Sequence, residues 1–146
     1  MSVVKSGIVS GYDTRRRRVL VVEDDAEVRL FIQTVLSRAG IDVVVACNGM
    51  EALDIPDPAG LDAILLDLSM PEMDGFTFLA MRRGDLKEVP TIVLTARHES
   101  KDVRRAVELG AKDYLAKPFD NLVLLKRLAR SMKPLDRMPK SSAVSW

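Results

Sequence analysis

Four groups of polar residues in this chain stand where an apolar run stops. Glu23-Asp24, with Asp25 behind them, follow Val19-Leu20-Val21-Val22; Asp67 follows Ala63-Ile64-Leu65-Leu66; Thr95 follows Thr91-Ile92-Val93-Leu94; and Lys117-Pro118 follows the run from Asp113 to Ala116. If the runs are parallel strands, all four groups face one rim. Three carboxylates gathered there repel one another strongly unless a cation joins them. Oxygen donors without a Cys or His cluster select a hard ion, Mg2+ or Mn2+. Such an ion keeps several waters and takes one or two carboxylates, which leaves room for a phosphate oxygen. If Asp67 attacks a phosphoryl group, the product is an acyl phosphate whose new charge needs the metal, a lysine and a hydroxyl donor around it. Lys117 and Thr95 supply the last two.

For these ends to meet, the runs must be strands of one sheet. Residues 19–22 have the continuous β-branched character of a strand buried on both faces. Behind Asp25 as N-cap, Val28, Phe31, Ile32, Val35, Leu36 and Ala39 recur at helical spacing, and Gly40 ends that helix in a left-handed conformation. Ile41 to Ala46 gives a second strand, and Asn48 caps a helix that Pro56 and Pro58 cut short or displace. After the third strand, a Pro-containing loop closed by Asp74-Gly75 leads into a helix from Phe76 to about Arg83. The fourth strand precedes a helix capped by Ser100, with an inner face of Val103, Ala106 and Val107, ended by Gly110. The fifth strand, 113–116, precedes a helix capped by Asp120, with Leu122, Leu125, Leu128, Ala129 and Met132 on one face and Pro134 closing it. Five alternating strand–helix units predict an α/β fold with one parallel sheet and helices on both faces, its site at the carboxyl ends of the strands.

The 146 residues fit one domain, and 47% hydrophobic with 29% charged residues is the balance of a globular chain with a packed core. The single cysteine, Cys47, excludes an internal disulfide, no apolar run is long enough to span a bilayer, and the first residues lack a secretory pattern. A cytoplasmic setting is expected. Net charge is +1, unevenly spread: residues 1–18 carry +4, residues 133–146 carry +2, and the −5 that remains falls on 19–132. The run of four arginines at 15–18, with no interleaved aromatic residue, reads as a solvated flank rather than a nucleic-acid contact. Residues 1–17 are expected to form a basic tail, 18–132 the domain, and 133–146 a tail or linker stump.

The chain resembles the receiver domain of two-component response regulators from about Arg18 to Met132. The resemblance rests on Val21-Val22-Glu23-Asp24-Asp25, on Leu65-Leu66-Asp67 followed by Met70-Pro71-Glu72-Met73-Asp74-Gly75, on Leu94-Thr95-Ala96, and on Gly110-Ala111-Lys112-Asp113-Tyr114 with Lys117-Pro118-Phe119. It implies a flavodoxin-like sheet in the order 2-1-3-4-5. It makes Asp67 the phospho-acceptor, Asp24 a direct magnesium ligand alongside Asp67, Glu23 a ligand through water, and Ser69 a ligand through its backbone carbonyl. Lys117 would pair with the phosphoryl oxygens and the Ala96 backbone would touch them. Thr95 and Tyr114 match the family's switch pair, which reports to the fourth helix, fifth strand and fifth helix. The Lys117-Pro118 bond is expected to be cis. Ser69 and Arg97 stand at the positions where the family tunes phosphoryl lifetime. The implied partners are a sensor histidine kinase or phosphotransfer protein and a downstream protein target, with homodimerisation open and no DNA-binding domain after Met132. The chain is expected to be a phospho-acceptor that assists its own phosphorylation and dephosphorylation rather than an enzyme.

Two rivals share the sheet. An aspartate-based phosphohydrolase needs a second aspartate two residues after the nucleophile, where Ser69 stands; a scaffold that signals without phosphorylation would not need the intact acid, threonine and lysine set. The remaining residues have plainer readings: His98 a solvated loop residue, the methionines gap-fillers, Cys47 a small buried hydrophobe.

Overall fold

In the computed structural model, residues 15–71, 73–96 and 100–134 are described. Glu72, the readings of Arg97 and His98, and those of the tails at 1–14 and 135–146 lie outside the described residues. One compact unit spans Arg17–Met132; residues 15–16 and 133–134 belong to no helix or strand.

The apolar runs become strands β1 (Arg18–Val22), β2 (Asp42–Ala46), β3 (Ala63–Asp67), β4 (Thr91–Thr95) and β5 (Asp113–Ala116). They pair in parallel in the order β2-β1-β3-β4-β5, the flavodoxin-like arrangement expected. All five residues of β3 and of β4 are buried, as central strands covered on both faces must be. Alternation sends Leu20, Val22, Ile64, Leu66 and Val93 into one core, and Val19, Val21, Leu65, Ile92 and Leu94 into the other.

Helices α1 (Ala26–Arg38) and α6 (Asn121–Ser131) cover the second core with Ile32, Leu36, Leu124 and Leu128. Helices α2 (Gly49–Leu53), α3 (Gly75–Met81), α4 (Gly84–Glu88) and α5 (Ser100–Glu108) cover the first. The caps fall where short polar side chains stand: Asp25 accepts from the N–H groups of Glu27 and Val28, Asn48 from Glu51, Asp74 from Thr77 and Asp120 from Val123. Gly40 and Gly110 end their helices at φ +84° and +106°. Pro56 and Pro58 do hold α2 to five residues, with a 3-10 turn at Pro58–Gly60.

Several expected faces turn out differently. The helix expected from Phe76 to about Arg83 ends at Met81, because Arg82 and Arg83 adopt extended backbone, and a further short helix, not expected from the sequence, starts at Gly84 with φ +57°. The helix that follows the fourth strand is therefore α5 here. Ser100 is the first residue of α5, whose buried side is Asp102 and Ala106, with Val107 exposed. On α6 the buried row is Leu124, Leu128 and Ser131, which leaves Leu122 and Ala129 in solvent; four consecutive apolar residues at 122–125 gave the sequence no unique period. Phe31, expected inside, is 45% exposed and meets Phe119, ring centroids 6.4 Å apart. Cys47 is exposed rather than buried, since it follows the end of an edge strand. Met70 and Met73 do fill the core beneath the loop after β3. Two arginines of the 15–18 run are not merely solvated: Arg17 pairs with Asp62 at 3.6 Å and Arg18 with Asp57 at 3.5 Å, tying the start of β1 to the loop before β3.

Candidate functional site

The register sets the rim. Val22 pairs with Leu66, Asp67 with Leu94, and Thr95 with Ala116, so Glu23 lies one residue beyond β1 beside Asp67. The ladder runs on to Lys117, whose N–H donates to the Thr95 carbonyl at 2.9 Å. Alternation then places Glu23, Asp67 and Lys117 on the sheet face shared by Val21, Leu65 and Leu115, and Thr95 and Tyr114 on the opposite face with Val93. Tyr114 is the β5 partner of Val93. Acid chemistry and the hydroxyl–aromatic pair thus occupy the two sides of one rim.

Lys117 Nζ donates to Glu23 Oε1 at 3.0 Å and lies 3.6 Å from Asp67 Oδ1. The Asp25 N–H donates to Glu23 Oε2 at 3.2 Å and the Ser69 N–H to Asp67 Oδ1 at 3.3 Å. Glu23, Asp67 and Thr95 are buried, Lys117 and Tyr114 half-buried, and Asp24, Ser69 and Ala96 exposed. The Lys117–Pro118 bond is cis. Glu23, Asp24, Asp67, Ser69, Thr95, Ala96 and Lys117 thus lie at or just beyond the strand ends, while Tyr114 sits within β5, level with Val93. Arg29 was missed: from the first turn of α1 its Nη1 donates to the Glu23 carbonyl at 2.8 Å, holding the acidic turn in place. A basic residue one turn into the helix after an acidic pair was the available signal.

One carboxylate oxygen each from Glu23, Asp24 and Asp67 lie within 4.8 Å of one another. Burial pushes the Glu23 carboxyl from its ordinary 4.5 up to about 7, with the Asp67 charge adding to the effect and the Lys117 hydrogen bond opposing it. Burial also raises Asp67, against the Lys117 charge. Three carboxylates against one ammonium leave a charge of −2, and the donors are all hard oxygens, so the residues fit a divalent cation such as magnesium.

A pH dependence follows for the metal-free protein. Between about pH 4.5 and 7 the folded chain holds a proton on Glu23 that the unfolded chain has released, so stability falls as pH rises through that window, by an amount on the order of 3 kcal/mol. Urea unfolding at pH 5 and pH 8 is expected to show the fall, and Glu23→Gln to flatten it. Magnesium should stabilise at pH 8 more than at pH 5, because protonated carboxylates do not bind metal.

Residues 19–129 match the family model described as the response regulator receiver domain. The chain belongs to the response regulator receiver domain family. Its relatives include the DNA-binding response regulator MtrA of Mycobacterium bovis, 37% identical over 127 residues, which are 87% of this chain and 55% of that protein. The chain spans about half the length of the curated relatives it matches. Among solved structures, the chemotaxis protein CheY4 of Vibrio cholerae aligns with TM-score 0.76 and 33% identity over 81% of this chain and 100% of that one. A BeF3-activated DrrB receiver domain aligns with TM-score 0.71 and 27% identity over 80% and 97%. No helix among this receiver domain's described residues is long and apolar enough to cross a membrane.

Proposed function

We propose that this receiver domain is a phosphorylation-activated switch in which Asp67 accepts a phosphoryl group from a histidine kinase or phosphotransfer protein. The observation that carries the reading is the Glu23–Lys117–Asp67 cluster at the strand ends, both of its carboxylates buried. An oxygen of Asp67 bonds to phosphorus while the bond from phosphorus to the donor's imidazole nitrogen breaks. The electron pair leaves with that nitrogen, which takes up a proton. Lys117, already between the two carboxylates, turns its ammonium from Glu23 toward a phosphoryl oxygen, and the exposed Ala96 backbone lies beside it. Magnesium held by Asp24, Asp67 and the Ser69 carbonyl, with Glu23 through water, would offset the phosphoryl charge.

Thr95 hydrogen-bonding to the phosphoryl group would draw Tyr114 inward on the opposite face, and α5, β5 and α6 would present the change to a protein partner. An apolar recess of about 520 Å³, lined by Val28, Phe31, Ala96, Pro118 and Phe119 and adjoining Glu27 and Lys117, suits the approach of a donor protein to this rim. The chain is a phospho-acceptor that assists gain and loss of its own phosphoryl group and turns over no separate substrate.

Whole-protein mass spectrometry after incubation with magnesium and acetyl phosphate tests this. The wild type is expected to gain one phosphoryl group, lost on hydroxylamine treatment, and Asp67→Asn to gain none. No gain in the wild type, or a gain that survives Asp67→Asn, would sink the reading.

A further inference from the structure

Arg82 is only 4% exposed, yet nothing in the phosphoryl chemistry uses it. It lies at the opposite end of the sheet from Asp67. Its Nη1 donates to Thr91 Oγ1 at 2.9 Å and to the Val89 carbonyl at 3.4 Å, its Nη2 to the Leu109 carbonyl at 3.4 Å, and its Nε to the Leu79 carbonyl at 3.5 Å. One guanidinium thus joins the end of α3, the loop before β4, the first residue of β4 and the turn that closes α5. That turn is shaped around it: Gly110 has φ +106°, and a Cβ there would come within 2.8 Å of Arg82 Nη2. A cation at the carbonyl end of a helix is also favoured by the helix dipole.

The two ends of α5 are held differently. Its carboxyl end is fixed through Arg82 to Thr91, four residues and about 13 Å along β4 from Thr95. Along the rest of the helix the buried residues are Asp102, a carboxylate, and Ala106, a methyl, so little apolar area anchors it. Arg105 adds a stack over the Phe76 ring, 4.3 Å from its centroid. On the amino-terminal half, Asp102 lies close enough to Tyr114 for its charge to add to burial in raising the tyrosine's pKa.

We propose that Arg82 is the pin of a hinge: it fixes the carboxyl end of α5 to the start of β4, so that a change at the site moves the amino-terminal half of α5 and leaves its last turn in place. The direction of motion rests on the phosphoryl-switch reading; the pinning does not. Local stability of this kind is read by hydrogen exchange.

The test is hydrogen exchange followed by mass spectrometry on the full chain, with and without magnesium and beryllofluoride. In the wild type, peptides covering the first two turns of α5 are expected to change on ligation, and the segment 109–112 to change less than twofold. In Arg82→Met, which keeps the volume and loses the donors, exchange at 109–112 should rise at least tenfold before ligation and become responsive to it. Thr91→Val, a smaller lesion, should act in the same direction and guards against misfolding of the first variant. A last turn that responds as strongly as the first in the wild type, or protection unchanged at 109–112 in both variants, overturns the hinge. No response anywhere in the wild type, including around Asp67, overturns the phosphoryl-switch reading and the hinge motion with it. Lost protection in the unligated variants would still show that Arg82 pins the helix.

Discussion

Gly75→Ala is expected to cost the fold about 3 kcal/mol or more, far beyond what the residue change does in an ordinary helix. In the first turn of an exposed helix, alanine for glycine stabilises by roughly 0.5–1 kcal/mol. Here the added Cβ would lie 2.6 Å from the Asp67 carbonyl oxygen, 2.8 Å from Leu68 Cα and 2.9 Å from Leu68 Cδ2. Two of the three are backbone atoms, and the Gly75 N–H is committed to the Leu68 carbonyl at 2.9 Å, so neither chain can yield alone. The costs of overpacking and of a weakened buried hydrogen bond add, each about 1–3 kcal/mol. Urea unfolding should show the loss, while Ala80→Gly, on the exposed side of the same helix, should cost only the intrinsic ~1 kcal/mol. A Gly75→Ala penalty no larger than that of Ala80→Gly would mean that the loop relaxes freely. Because the carbonyl that would be struck belongs to Asp67, the folded fraction of the variant should also accept a phosphoryl group more slowly.

Gly75 shows the limit of what the residues alone disclose. The Asp74-Gly75 pair was readable as the close of a loop, yet the reason that position must be glycine, an approach to the backbone after β3, appears only once the loop is folded. The strands were legible because most are short apolar runs, and the polar residues at which β1, β3, β4 and β5 stop are also what made Glu23, Asp67, Thr95 and Lys117 legible. Helix faces were less so. The face of α5 is defined by a carboxylate and a methyl, Asp102 and Ala106, whereas an apolar count favours Val103 and Val107. The helix expected over 76–83 gave no sign that it would stop at Met81, because Arg82 and Arg83 are good helix formers and only tertiary acceptors draw the first inward. Arg82, Asp102 and Arg29 have one thing in common: each charge is meaningful through partners on other elements, and periodicity carries no information about those.

The largest kinetic effect away from the acceptor is expected at Lys117. Its ammonium sits 3.0 Å from Glu23 and 3.6 Å from Asp67, so it serves the resting site as counter-ion and, by the proposed function, the phosphorylated site as donor to the new charge. Lys117→Met removes both roles. Losing one preorganised donor to developing charge typically slows a reaction by about 10²–10³, and phosphorylation by acetyl phosphate with saturating magnesium should fall by that factor. The resting site should suffer in a pH-dependent way. With the cation gone, Glu23 and Asp67 are left almost fully buried without it, which raises both carboxyls further and extends the range over which stability falls as pH rises. The variant should therefore lose about 2–3 kcal/mol at pH 8 relative to wild type and much less at pH 5, where the carboxyls take up protons. Magnesium should recover part of the loss at pH 8 without restoring the rate, because the metal neutralises the carboxylates but cannot stand where the lysine meets the phosphoryl oxygen. Rates measured at the pH where the variant is most stable separate the two roles. If the rate recovers along with stability, Lys117 acts only as the counter-ion of the resting site.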